Sequence, residues 1–182
     1  MSVGNNIKVW NAIAKSFDET RKKPWKECIE FIERLPREST VADIGCGNGR
    51  HLIYCAEQCS KAIGVDISIN LLKIAKGKIQ NMENVELVNA DVLSLPFMDN
   101  SIDHILFIAT LHNIHGRENR LKALSEIKRV LKPSGTALIS VWSRWQERFL
   151  AYLVEREALD EDYAYKVARM ILSENAKKLY NI

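Results

Sequence analysis

The run Asp43-Ile44-Gly45-Cys46-Gly47-Asn48-Gly49 decides how this chain is read. It begins as the end of a short apolar strand from Val41 and passes into a turn with glycine at alternate positions. Such a turn, set between a strand and a helix, lets a ligand approach the backbone closely and is the mark of a nucleotide-type site. The dinucleotide pattern G-x-G-x-x-G requires glycine at position 50, where Arg50 stands. A pyrophosphate would also be a poor neighbour for Asp43, whereas a cationic group would be attracted to it. A tight strand-to-helix turn without a ligand is the alternative reading of the same residues.

Outward from the turn, β-rich runs recur at 41–44, 62–65, 85–88, 102–108 and 136–141, and helical periodicity fills 49–59, 69–80 and 117–131. This alternation predicts an α/β fold with a central parallel sheet of at least five strands, crossed by flanking helices. Lys132-Pro133-Ser134-Gly135 reads as the turn that ends the third of those helices. Before the first strand, Ile7, Trp10, Ile13, Ala14 and Phe17 recur at helical spacing, and Pro24 suits a helix start. Two helices are expected there, over 5–18 and 25–35.

A single domain is expected, with a helical cap over 1–38, an α/β core over 39–142 and a helical segment over 143–182. From Trp145 to Ile182 the sequence reads as helix throughout, and no sixth strand is visible.

The chain has 182 residues, 47% of them hydrophobic, enough for one sizeable core. Its formal charge of +3 is too small an excess to announce a nucleic-acid partner by itself. No secretory leader or membrane span is readable, so a cytoplasmic protein without membrane association is expected. Cys28, Cys46, Cys55 and Cys59 lack paired C-x-x-C spacing. Cys55 and Cys59 could share a helix face toward a metal, but no further ligands accompany them, so packing is expected and no metal.

Several side chains suit a nucleoside with a positive charge. Asp43 can attract a cationic amino group or sulfonium. Asp66 closes the second strand, where an acid can accept hydrogen bonds from both ribose hydroxyls; a solvated strand-end aspartate is the alternative. Asn89-Ala90-Asp91-Val92 ends the third strand and offers a side-chain acceptor and a backbone donor to an adenine edge. The fourth strand runs toward Thr110-Leu111-His112, whose end of the sheet faces the reaction space.

Asp43 to Gly49, Asp66, Ala90-Asp91 and Leu131-Lys132-Pro133-Ser134-Gly135 resemble the class I, Rossmann-like methyltransferases that use S-adenosylmethionine (SAM) and release S-adenosylhomocysteine. More narrowly, Val9-Trp10-Asn11, Ile13-Ala14, Phe17 and Thr20-Arg21-x-Lys23-Pro24-Trp25 look like the opening of the tRNA wobble-uridine carboxymethyl methyltransferases, which include the AlkB-like fusion proteins. Ile108 to His112 and Val141-Trp142 point the same way, and the resemblance covers about residues 5 to 145. It implies the sheet order 3-2-1-4-5 and methyl esterification of 5-carboxymethyluridine in a tRNA anticodon loop, with a small zinc-binding activator protein as partner. It further implies a donor pocket of Asp43, Gly45, Cys46, Gly47, Asp66, Ile67, Asp91, Val92, Ile108, Trp10 and Trp25. Arg21 would pair with the substrate carboxylate or help close the donor pocket, and His112 and Trp142 would line the acceptor side.

The chain departs from the family where paired histidines become His112-Asn113, where Pro-Gly-Gly becomes Pro133-Ser134-Gly135, and at its end, where two further strands are expected and helix is read instead. A small-molecule methyltransferase acting on a quinone precursor shares the same core and remains an alternative, as does a SAM-binding subunit without activity. Arg21-Lys22-Lys23-Pro24-Trp25-Lys26 could contact phosphates or form a solvated helix junction. The same choice applies to Arg117, Arg120, Lys122, Lys128 and Arg129.

Overall fold

A computed structural model describes residues 3–141. The chain runs through α1 (Val3–Thr20), α2 (Lys26–Ile32), β1 (Thr40–Ile44), α3 (Leu52–Gln58), β2 (Lys61–Asp66), α4 (Ile69–Lys78), β3 (Val85–Asn89), β4 (Ile102–Ile108), a 3-10 turn (Leu111–Asn113), α5 (Arg117–Val130) and β5 (Leu131–Ser140). The strands form one sheet, ordered β3-β2-β1-β4-β5, and every pairing is parallel. This is the Rossmann-like arrangement, with β1 central and its C-terminal end beside the reversal of strand order.

Because side chains alternate across a strand, each strand feeds two cores. Ala42 and Ile44 of β1, Ile63 and Val65 of β2, and Ile105 and Phe107 of β4 pack with Ile127 and Val130 of α5. Val41, Ala62, Leu106 and Ile108 face the other way, toward Cys28 and Ile32 of α2 and Leu52 and Cys55 of α3. Asp43 has the parity of Val41 and so belongs to the α2 and α3 side of the sheet, at the end of an otherwise apolar strand.

Helix limits depart from the periodicity for local reasons. The helix expected from 49 starts at Leu52, because Gly49 has φ of +75° and cannot serve as a helical residue. The helix expected to reach 35 stops at Ile32, where Leu35 N donates to Ile32 O in a tighter closing turn ahead of Pro36. α1 is longer than expected and ends with the Thr20 hydroxyl bonded to Ser16 O at 2.9 Å.

The turn read at 132–135 is absorbed into β5. Ile102 pairs with Leu131, but His104 pairs with Thr136, so the intervening residues bulge opposite Asp103. The bulge is pinned at both ends of that residue: a Cβ on Gly135 would stand 2.6 Å from Asp103 O, and Lys132 Nζ lies 2.7 Å from Asp103 Oδ1. Among the described residues, no helix is long and apolar enough to cross a membrane. The helix expected over 145–182 and Trp142 lie outside the described residues.

Candidate functional site

The glycine turn leaves β1 with Gly45, Gly47 and Gly49 at φ of +75°, +56° and +75°. These are left-handed values that only glycine adopts without strain. The turn is clamped on both sides. Gly45 N and Cys46 N donate to Val65 O at 2.7 and 3.0 Å, and Gly47 N donates to Asp66 Oδ2 at 2.8 Å. The second Asp66 oxygen accepts from Ser68 N at 2.8 Å, so one carboxylate ties the turn to the start of α4. Burial raises the pKa of Asp66, while the amides of Ser68 and Gly47 oppose the shift by favouring the charged form.

Beneath the turn, Asp43 is 1% exposed and its Oδ2 has no hydrogen-bond partner among the described residues. Burial, reinforced by the charge of Asp66 and opposed by Arg50, pushes its carboxyl up to about 7. A buried acid without a full set of partners costs folding free energy, and such groups concentrate where a ligand completes them. Cys46 is buried beside it, and the same burial holds its thiol well above the usual range, which marks it as a packing residue rather than a nucleophile.

Two segments close over the turn. A Cβ on Gly45 would lie 2.7 Å from Thr110 Cγ2, and one on Gly47 would lie 3.1 Å from Phe17 Cε1. Thr110 is delivered by Ala109, which has φ of +51° and whose N–H is held by Ser140 O at 3.1 Å and Ser140 Oγ at 3.0 Å. A left-handed alanine at the end of β4 is local strain of the kind functional loops carry. Ile108 is buried just before it, and His112 follows on the exposed 3-10 turn, its pKa lowered by partial burial.

Phe17 comes from α1, whose polar residues lock it in place. Asn11 Oδ1 accepts from Ser68 Oγ at 2.8 Å and Asn70 N at 3.1 Å. Asn48, between the second and third glycines, donates to Asp18 Oδ1 at 2.8 Å and Arg21 O at 3.0 Å, and Lys78 pairs with the same Asp18 oxygen. Trp10 meets Phe17 edge to face at 5.9 Å. The Arg21 side chain is exposed. Trp25 lies under the Arg50 guanidinium at 5.4 Å and edge-on to His51 at 6.4 Å, and its backbone N–H donates to His51 Nε2 at 3.2 Å. Burial, with the charge of Arg50, lowers His51 to about 4, so it is a neutral acceptor.

At the ends of β2 and β3, Asn89 Nδ2 and Ala90 N both donate to Asp66 O, at 2.8 and 3.2 Å. Asp91 Oδ1 accepts from Leu93 N at 2.9 Å, which fixes the turn carrying Val92, and Ile67 lies half-buried beside Asp66. The expected donor-pocket residues thus come from the ends of β1 to β4 and from the α1 to α2 segment, all at one edge of the sheet. Asn11, Phe17, Asn48, Arg50, His51 and Thr110 join them, although none of the six was expected in the donor pocket. For Arg50 and His51 the available signal was their position directly after the third glycine. For Asn11 and Phe17 the signal was their place in the N-terminal block that resembles the wobble-uridine methyltransferases, which says nothing of what they touch.

Residues 42–139 match the family model described as a methyltransferase domain. The mouse tRNA (carboxymethyluridine(34)-5-O)-methyltransferase ALKBH8 is 40% identical over 139 residues, which are 76% of this chain and 20% of the mouse protein. The chain therefore spans about a fifth of that relative's length. Among solved structures, a SAM-dependent methyltransferase from Aquifex aeolicus superposes with a TM-score of 0.64 at 26% identity, over 76% of this chain and 75% of that one. A chain of the Haloferax volcanii complex that contains the Trm112 methyltransferase activator shares the fold, with a TM-score of 0.66 at 22% identity over 86% of this chain and 67% of that one. Since the matched region runs from within β1 to within β5 and takes in the whole glycine-turn edge of the sheet, this chain belongs to the methyltransferase domain family.

Proposed function

We propose that this chain is a SAM-dependent methyltransferase that esterifies the carboxylate of 5-carboxymethyluridine at the tRNA wobble position, in the cytoplasm. The observation that carries the donor is the buried Asp43 carboxylate, with one oxygen lacking a partner among the described residues, under a turn of three left-handed glycines. Such an acid favours a cation, and it stands at the end of β1 where the turn begins. The acceptor rests on the 40% identity to the mouse tRNA enzyme and on the Arg21-x-Lys23-Pro24-Trp25 block.

SAM, when bound, supplies a methyl group on a positively charged sulfur. Asp43 holds the cationic end of the donor. Asp66 keeps lone pairs beyond those given to Gly47 and Ser68 and accepts from the ribose hydroxyls. Asp91 and Val92 meet the adenine edge, and Gly45, Cys46, Gly47, Ile67, Ile108, Trp10 and Trp25 complete the walls. Phe17 and Thr110 keep water from the glycine turn.

A carboxylate acceptor is already ionised at neutral pH, so the protein needs alignment rather than a strong base. Arg21 pairs with that carboxylate in the bidentate manner suited to guanidinium, and His112 lines the acceptor side. Arg21, Lys22 and Lys23 form an exposed basic group for the anticodon backbone. A small zinc-binding methyltransferase activator is the partner.

Incubation of the protein with methyl-labelled SAM, tRNA and the activator tests the reading. Label should enter tRNA and leave it under mild base, as an ester does. Label in a lipid extract but not in tRNA would replace this acceptor with a small molecule.

A further inference from the structure

Arg50 follows the third glycine directly and leads into α3. Its guanidinium carbon lies over the Trp25 ring at 5.4 Å. The Trp25 backbone N–H is bonded at 3.2 Å to His51 Nε2, and the His51 ring, itself 3% exposed, stands edge-on to the indole at 6.4 Å, so the platform is braced from one side. A guanidinium over an aromatic face keeps its N–H edges for an in-plane partner. Yet among the described residues Arg50 makes no ion pair with a carboxylate.

A half-buried cation without a counter-ion is costly, and a second cation nearby makes it more so. Burial lowers the pKa of Arg50, with Asp43 opposing that shift and Arg21 adding to it. On the sheet side of the same turn, Asp43 Oδ2 is buried and has no partner among the described residues. One incomplete anion and one incomplete cation flanking a single glycine turn complement a zwitterion.

The geometry points to Arg50 as the residue that takes the α-carboxylate at the amino-acid end of the donor, with Trp25 as its platform and Asp43 facing the ammonium. This assignment rests on the SAM reading above. Arg21 is left for the acceptor, so the two arginines serve two different carboxylates.

Calorimetry with three ligands tests it: SAM, decarboxylated SAM, which keeps the ammonium but lacks the carboxylate, and 5′-methylthioadenosine, which lacks both. The unaltered protein should prefer SAM to its decarboxylated form by roughly tenfold or more, as loss of a charge-assisted pair requires. Arg50→Gln should bring that ratio toward one, and Arg50→Lys should lower it severalfold, because lysine lacks the planar fork. Arg21→Gln should leave it unchanged. A ratio near one in the unaltered protein overturns the assignment, as does an unchanged ratio in Arg50→Gln. Should Arg50→Gln not fold, an unchanged ratio in Arg50→Lys overturns it equally. A ratio that collapses in Arg21→Gln instead hands the donor carboxylate to Arg21. Equal binding of SAM and its decarboxylated form, with methylthioadenosine weaker, sinks only this assignment, whereas equal binding of all three, or binding of none, sinks the donor reading with it.

Discussion

Asp66 holds Gly47 by its backbone: the glycine N–H donates to Asp66 Oδ2 across 2.8 Å, and the other carboxylate oxygen holds Ser68 N at the same distance. One side chain therefore shapes the turn as well as facing the nucleoside. Asp66→Ala leaves two buried amides without acceptors, at about 1–3 kcal/mol each, so it should lower thermal stability as well as donor affinity. Asp66→Asn keeps acceptor capacity for one amide and should fall between. An alanine variant that bound no donor yet melted like the unaltered protein would deny the shaping role.

The donor affinity should depend on pH through Asp43. Its carboxyl titrates at about 7, because burial and the charge of Asp66 outweigh Arg50, and a bound cation favours the ionised form. SAM should therefore bind more tightly as pH rises through 7, with proton release on binding below that point. Asp43→Asn should bind SAM weakly and without that pH dependence. Titration calorimetry in buffers of different ionisation enthalpy measures both.

The same group and His51 pull folding stability in opposite directions. Asp43 has a folded pKa above its unfolded value near 3.8, so the folded state holds the proton longer and stability falls as pH rises from about 4 to about 7. His51 has a folded pKa of about 4, below its unfolded 6.5, so stability is lost as pH falls through that window. The two slopes offset in the unaltered protein. Denaturation across pH 4 to 7 should show rising stability with pH in Asp43→Asn and falling stability in His51→Gln.

Gly45→Ala should be worse than its backbone angle alone demands. A left-handed alanine costs about 1–2 kcal/mol, and here its Cβ also runs into Thr110. Thr110→Ala in the same chain should recover the steric part of the loss and leave the backbone part. A double variant no more stable than Gly45→Ala alone would show that Thr110 moves aside at no cost. Thermal denaturation of the three variants decides.

Arg21→Ala should leave SAM affinity near that of the unaltered protein and sharply reduce methyl transfer to tRNA. Unchanged transfer at limiting tRNA would remove Arg21 from the acceptor side.

The parallel sheet was legible because strand runs, helical periodicity and a glycine turn after the first strand are local patterns, whereas the strand order followed only from the resemblance to the class I methyltransferases. The start of α3 was not, since periodicity continues through Gly49 to His51 while the backbone does not. Asp43 and Asp66 stood out by chemistry at strand ends. The roles of Phe17 and Asn11 arise from contacts across 30 and 57 residues of chain respectively, from Phe17 to Gly47 and from Asn11 to Ser68, and nothing local announces them. Arg50 was visible only as a missing glycine; that its side chain settles on Trp25 needed the fold.

Asp103 lies at the edge of the sheet opposite the glycine turn. There one carboxylate takes Thr40 N at 3.0 Å and Lys132 Nζ at 2.7 Å, while its own carbonyl abuts Gly135, so the entries of β1, β4 and β5 are stapled together. The sheet is thereby stiff at its base, and any adjustment to incoming molecules is left to the loops at the other end. Changes at the staple should register in melting temperature long before they register in turnover, which makes this edge the place to tune the robustness of the scaffold without rewriting its chemistry.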